Sequence, residues 1–261
     1  MINNRLILTL LISDGLLVNS KGFILNPVCN ISTMLTYLNF DLFDEIVILD
    51  VTRVNRNIDG LSRWISQIGS KCFIPICGGG GVTSIHDCET LSNSGIDKVV
   101  INSAAFTNRK LIKEVSQTFG SQFVVSSIDA VFKDGIYYIC TNDGKFPREI
   151  TVVEWVKELE DMGSGEIYLR SIKQDGSALG YDINLIKLVS ESTSLPIIAA
   201  GGFGHFRHLE NGIIAGAQAV SIGNLFHFMG EGLSGAKQYL LNDNVKPTTT
   251  IWPFAMPEKI L

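Results

Sequence analysis

Three observations predict a (β/α)8 barrel. Eight short apolar runs recur along the chain, and helical patterns fall between them. The runs are apolar nearly throughout, as strands covered on both faces must be. The second half also repeats the first. A shift of 121 residues lays Pro75-Ile76 on Pro196-Ile197, Gly80-Gly81 on Gly201-Gly202, Gly95 on Gly216, Val99 on Val220 and Ile101 on Ile222, with no gap. The same shift puts Asn102-Ser103 on Gly223-Asn224 and Glu45-Ile46 on Glu166-Ile167. Half a barrel would leave open edges and an unburied core, so the repeat predicts one closed body over 1–261. Its half-barrels are expected at about 1–120 and 121–228, with a tail over 229–261.

In chain order, Leu6–Ile12 is the first strand, and Asp14-Gly15 turns the chain into a loop through Gly22. A helical pattern covers Ile31–Asn39, and Glu45–Val51 is the second strand. A helix near Ile58–Ile68 leads to strand three at Cys72–Cys77 and the glycine run Gly78–Gly81. Ser84 caps the next helix, with Asp87 three residues on in place of the usual glutamate. Lys98–Asn102 is strand four, followed by a helix over Asn108–Phe119. Gln122–Asp129 is strand five, and Val131–Cys140 a hairpin turning at Asp134-Gly135. Thr151–Met162 is an amphipathic helix with Val152, Val153, Val156 and Leu159 on one face. Glu166–Ser171 is strand six, with its helix at Ile183–Ser190. Leu195–Ala200 and Ala217–Ile222 complete the eight. Trp252, Pro253 and Phe254 are expected to pack the tail onto the barrel.

Hydrophobic residues make up 46% and charged residues 18% of the chain, which suits a large core and excludes disorder. A net charge of −5 without a basic run argues against a nucleic-acid partner. The five cysteines form no Cys-x-x-Cys pair and the four histidines no ligand set, so neither a metal nor a cofactor is expected. The odd cysteine count fits a reducing compartment. The apolar run at Leu6–Ile12 is too short to span a membrane and lacks a cleavage site, so a cytoplasmic protein without membrane contact is expected.

In this fold, chemistry sits at the C-terminal strand ends. Gly80 and Gly81 with Asn102 and Ser103, and Gly201 and Gly202 with Gly223 and Asn224, stand there as two anion cups of bare backbone N–H groups at helix starts. Asp50, Asn142, Ser171 and Asp175 are further polar candidates. Asp129 closes an otherwise apolar strand and is the candidate acid or base. Arg170 binds a phosphate or carboxylate, or else neutralises Asp129 or Asp175 as a structural ion pair. At the opposite end Arg5, Glu45, Lys98 and Glu166 all begin strands. They form either a neutral ring closing the lower mouth or separate surface ion pairs.

The stretches FDEIVILDVT, GIDKVVINSAA, QTFGSQFVVSSIDA, GEIYLRSIKQDG, LGYD, LPIIAAGGFG and FHF, with the glycine run and IHDCETL, resemble HisF, the cyclase barrel of imidazole glycerol phosphate synthase, to about Phe228. In that family a glutaminase partner makes ammonia, which enters through a ring of charged residues and reacts at the top with a substrate carrying two phosphates. The resemblance implies that Arg5, Glu45, Lys98 and Glu166 are the ammonia gate. It implies that Asp97 and Gln122 face the glutaminase, and that the two cups hold phosphates. Ser103 stands for the family's threonine and Asn224 for its serine. The family's catalytic aspartates fall on Asp129 and on Leu11, in TLLISDG where the family reads close to CLDVKDG. Its loop lysine falls on Asn19 and a strand-six threonine on Arg170.

Leucine carries no proton, so the pair needed for cyclisation is incomplete. A kept gate with a lost aspartate is similar to the HisF-like acetamidino modification proteins related to AglZ. The leading expectation is therefore a subunit that channels ammonia from a HisH-like glutaminase, with an N-sugar amidotransferase, for amidination of a surface-polysaccharide or nonulosonic-acid sugar. The alternatives are a cyclase of histidine biosynthesis and a non-catalytic scaffold that activates the glutaminase. A sugar isomerase of the HisA type is weakened by Leu11, because that chemistry also wants both carboxylates.

Overall fold

The computed structural model describes residues 4–223. The expected tail, Asn224 and the FHF stretch lie outside them. Eight parallel strands close on themselves: β1 (Arg5–Ser13), β4 (Glu45–Asp50), β5 (Ile76–Gly79), β6 (Lys98–Ile101), β7 (Val124–Lys133), β10 (Glu166–Ser171), β11 (Ile197–Ala200) and β12 (Ala219–Ile222). They pair in that order, and β12 returns to β1 with Arg5 opposite Ala219. The fold class read from the repeat is the one observed.

Strand residues alternate between two hydrophobic bodies, as period-2 geometry requires. Outward-facing Leu6, Leu8, Ile46, Ile48, Ile128 and Ile167 pack under the helices. Inward-facing Ile7, Val47, Cys77, Val125, Ile198 and Ala219 fill the lumen. The helices of the outer layer are α1 (Ile31–Tyr37), α2 (Ile58–Gly69), α3 (Ile85–Asn93), α4 (Ser103–Thr107), α5 (Lys110–Phe119), α6 (Val152–Asp161), α7 (Ile183–Ser190) and α8 (Phe206–Ile214).

The repeat extends to individual backbone bonds. Ile46 N donates to the Pro75 carbonyl and Ile167 N to that of Pro196, each at 2.9 Å. Ile76 N donates to the Asp97 carboxylate at 2.8 Å, and its counterpart Ile197 N to the Gln218 amide oxygen at 2.7 Å. Asp97 thus anchors the start of β5, and Gln122 donates to the Phe119 carbonyl behind α5.

Differences from the sequence reading cluster at hairpins and glycines. The loop expected after Asp14-Gly15 is a hairpin strand β2 (Leu16–Lys21) followed by β3 (Ile24–Asn30). Both turn residues have positive φ, at 50° and 77°, which suits a two-residue hairpin turn. Pro27 and a register shift between Leu17 and Val18 hide the alternation from the sequence. In the second half β8 (Ile136–Thr141) was expected, but its partner β9 (Phe146–Thr151), with Pro147 near its start, was not. Strand three begins at Ile76 rather than Cys72 and runs into the glycines. A Cβ at Gly79 would lie 2.5 Å from the Val100 carbonyl oxygen, so this glycine serves strand packing rather than a turn. The helix expected from Asn108 is preceded by the separate short α4.

Candidate functional site

At the N-terminal end of the barrel, two cations and two carboxylates form a closed ring. Arg5 donates to Glu45 at 2.6 Å and also to Glu166. Lys98 Nζ donates to Glu45 at 2.9 Å and to Glu166 at 3.0 Å. Of the two readings left open by spacing, this is the ring and not separate surface pairs. Glu45 and Glu166 are buried, whereas the two cations reach solvent. Burial disfavours the charge on Arg5 and on Lys98, but the two carboxylates outweigh it and hold both above their ordinary values. Cys77 sits above the ring, fully buried. That burial, with the Glu45 carboxylate, pushes its thiol well above the usual range. Asp97 and Gln122 are exposed and outside the ring.

Among the described residues, two cavities open at the C-terminal end. The larger, about 610 Å³, is lined by Gly80, Gly81, Asn102, Ser103 and Asp129, with Arg53 and Arg56 at its rim. The smaller, about 40 Å³, is lined by Leu11, Gly201, Gly202 and Gly223. Arg170 borders both. Gly80 has φ +106° and a Cβ there would lie 2.1 Å from the Asp50 carbonyl oxygen, so only glycine fits the first cup. In the second cup that constraint falls on Gly202, whose Cβ would lie 2.0 Å from the Gly180 carbonyl oxygen.

Arg170 resolves to its structural alternative. Its Nε donates to Asp129 Oδ1 at 3.0 Å, and Nη2 lies 3.0 Å from the same oxygen. Asn102 Nδ2 occupies Asp129 Oδ2 at 2.8 Å. Burial opposes the guanidinium charge, yet the Asp129 and Asp175 carboxylates hold it above the ordinary arginine value. The ring of Phe23 stacks on the guanidinium at 4.1 Å. Asp129 is 2% exposed and every oxygen it has is engaged, while Leu11 packs into the apolar lumen at 7% exposed. Ser171 lines neither cavity. It lies one residue out of phase with inward-facing Arg170, and its carbonyl accepts from Gln174 N and Asp175 N, each at 3.1 Å.

Three residues that the sequence reading missed, Arg53, Arg56 and Asp143, tie the top together with Asp175, which it had named. Arg53 donates to the Phe23 carbonyl at 2.6 Å and pairs with Asp143 at 3.0 Å. Arg56 pairs with Asp143 at 2.9 Å. Asp175 accepts from Ser20 Oγ and, at 3.0 Å, from Phe23 N. The Asp143 turn, where Asn142, Asp143 and Gly144 all have positive φ, gave the one local signal. The meeting of two hairpins and two loops gave none.

The two cups also differ at their helix caps. Thr83 N and Ser84 N donate to the Asp87 carboxylate at 2.8 and 2.9 Å. The equivalent Gly204 N and His205 N both donate to His208 Nδ1 at 3.2 Å. Burial, then His205, lowers the His208 pKa below its ordinary 6.5. A protonated ring cannot accept these bonds. The cap is therefore intact above the ordinary histidine value and lost as pH falls from there through the depressed folded value. Hydrogen exchange at the Gly204 and His205 amides, corrected for intrinsic rate, is expected to quicken as pH falls below about 6.5, with Thr83 and Ser84 unchanged.

The fold is a closed (β/α)8 barrel with a charged ring at one end and glycine-walled cavities at the other. The chain belongs to the histidine biosynthesis protein family, which it matches over residues 7–230, and within it to the HisF-type subunits. It is 38% identical over 203 residues to the imidazole glycerol phosphate synthase subunit HisF of Pyrobaculum aerophilum, covering 78% of this chain and 80% of that protein. To the subunit of the same name from Chlorobaculum tepidum it is 34% identical over 242 residues, 92% of this chain and 96% of that one. Among the described residues, no helix is long and apolar enough to cross a membrane.

Proposed function

We propose that this chain is the ammonia-receiving subunit of a HisF-type synthase, with a HisH-like glutaminase seated over the charged ring. The observation that carries the reading is the closed Arg5–Glu45–Lys98–Glu166 ring at the foot of the lumen. In the larger cavity Gly80, Gly81, Asn102 and Ser103 face a phosphorylated small molecule. The glycine cup of the smaller cavity is a ligand or regulatory site.

The similarity to imidazole glycerol phosphate synthase subunits favours the cyclase of histidine biosynthesis as the reaction. One observation favours the second reading, amidination of a sugar together with an N-sugar amidotransferase. Leu11 stands where a proton-carrying group is needed, and Asp129 is held by Arg170 and Asn102. The deciding experiment supplies the purified chain with ammonium and the bisphosphorylated histidine-pathway substrate. Turnover is expected about 10²–10⁴-fold below that of a HisF with both aspartates. Turnover equal to such an enzyme would sink the amidination reading and leave the cyclase.

Leu11→Asp alone is not expected to restore cyclisation, because Arg170 still pins Asp129 and Asn19 still replaces the lysine. In a parallel assay with the HisH-like glutaminase, adding the chain is expected to stimulate glutamine hydrolysis. Absence of both complex and stimulation would defeat the ammonia-receiving reading itself. Stimulation that survives Lys98→Ala with no transfer of ammonia in either protein would point to a scaffold.

A further inference from the structure

Three mutually bonded hydroxyls stand in the hydrocarbon of the lumen. Thr9 Oγ1 lies 2.9 Å from Tyr168 Oη and 2.6 Å from Ser221 Oγ. All three residues are at least nine-tenths buried, at 4%, 2% and 2% exposed. Between them and the ring lies an apolar layer of Ile7, Val47, Val125, Ile198 and Ala219. A solute rising from the ring crosses that layer far more easily as a neutral molecule than as an ion. The hydroxyls lie above it, with Ser127 in register with Tyr168 across the next strand.

The same three residues line the smaller cavity with Leu11 and Gly202, and Arg170 and Asp175 line it too. Its volume of about 40 Å³ has room for a molecule of the size of water, which needs about 10–15 Å³ on the same measure. The hydroxyls hold three donor hydrogens, and their mutual contacts spend two, or all three where Tyr168 also bonds Ser221. A surplus of lone pairs remains. Ammonia has one lone pair and three N–H groups, so it matches this balance better than water, which has two of each. Burial raises the Tyr168 phenol above its ordinary value, so it stays a neutral donor.

We propose that Thr9, Tyr168 and Ser221 form a binding station for ammonia in the smaller cavity, between the charged ring and the larger cavity, which rests on the ammonia-receiving reading above. Neutron diffraction tests it, on crystals of the full chain in deuterated buffer with ammonium chloride at alkaline pD. The expected result is one guest carrying three deuterons, within hydrogen-bonding distance of Thr9 Oγ1. The guest is expected to vanish in Thr9→Val/Ser221→Ala. Tyr168→Phe keeps the ring volume and removes a single hydroxyl, so its loss or loosening of the guest is read in a variant with little packing change. An empty cavity, a guest with two deuterons (water only), or a guest that persists in the double variant would each overturn the proposal. The guest is read on the isolated chain and glutaminase stimulation on the complex, so either reading can fail without the other.

Discussion

Arg170→Ala is expected to lower the free energy of unfolding by about 3–5 kcal/mol, the usual cost of stranding a buried charge. The change leaves Asp129, at 2% exposed, with Asn102 as its remaining charge-neutral partner. It also removes the cation that faces Asp175 and the platform under Phe23. Urea denaturation monitored by circular dichroism measures the loss. The double variant Asp129→Asn/Arg170→Met is expected to lose less than Arg170→Ala, because no charge is left stranded at position 129. A single variant as stable as the parent would mean that Asp129 is not held by this pair, and with it would fall the argument that the carboxylate is unavailable for acid–base work.

The second large effect belongs to the ring. Lys98→Met leaves Glu45 and Glu166 sharing Arg5 alone, at a cost of about 1–3 kcal/mol once solvent access to the cations is discounted. The pH dependence has a definite sign. Folded Lys98 titrates above its ordinary 10.5, so the folded chain holds this proton more tightly than the unfolded one. The stabilisation is therefore complete below the ordinary lysine value and is lost as pH rises through the raised one. The stability gap between parent and Lys98→Met is expected to be the same at about pH 7 and about pH 9, and to narrow above about pH 11. In the complex, the same variant is expected to uncouple glutamine hydrolysis from use of its ammonia. A gap that stays constant to high pH would show that Lys98 draws nothing from the two carboxylates.

The barrel was legible because its signals are periodic and local. Both halves carry the same Pro-Ile strand starts and glycine turns, and the shared register survives as matching backbone bonds such as Ile46 to Pro75 and Ile167 to Pro196. The capping box at Ser84 and Asp87 was equally local. The hairpin strands over 16–30 were not, because Pro27 and a bulge break their alternation, and only the pairing of β2 with β1 and of β3 with β2 makes them strands.

At the site, sequence alone determined which charges stand at strand starts, that Leu11 occupies a position where the family's chemistry wants a carboxylate, and that glycines wall both cups. What only the tertiary structure decided is how those groups pair. Four strand-start charges became one neutral ring because barrel closure brings residues more than a hundred apart in sequence, such as Arg5 and Glu166, into contact. Arg170 became the partner of Asp129 instead of a free ligand for phosphate because β7 and β10 place them directly opposite each other. Thr9, Tyr168 and Ser221 come from three separate strands, and nothing in their spacing announces that they meet. Spacing along a strand tells which face a side chain takes, since that follows from backbone geometry. Which side chain it meets across the lumen depends on the stagger of the closed sheet, a property of all eight strands together.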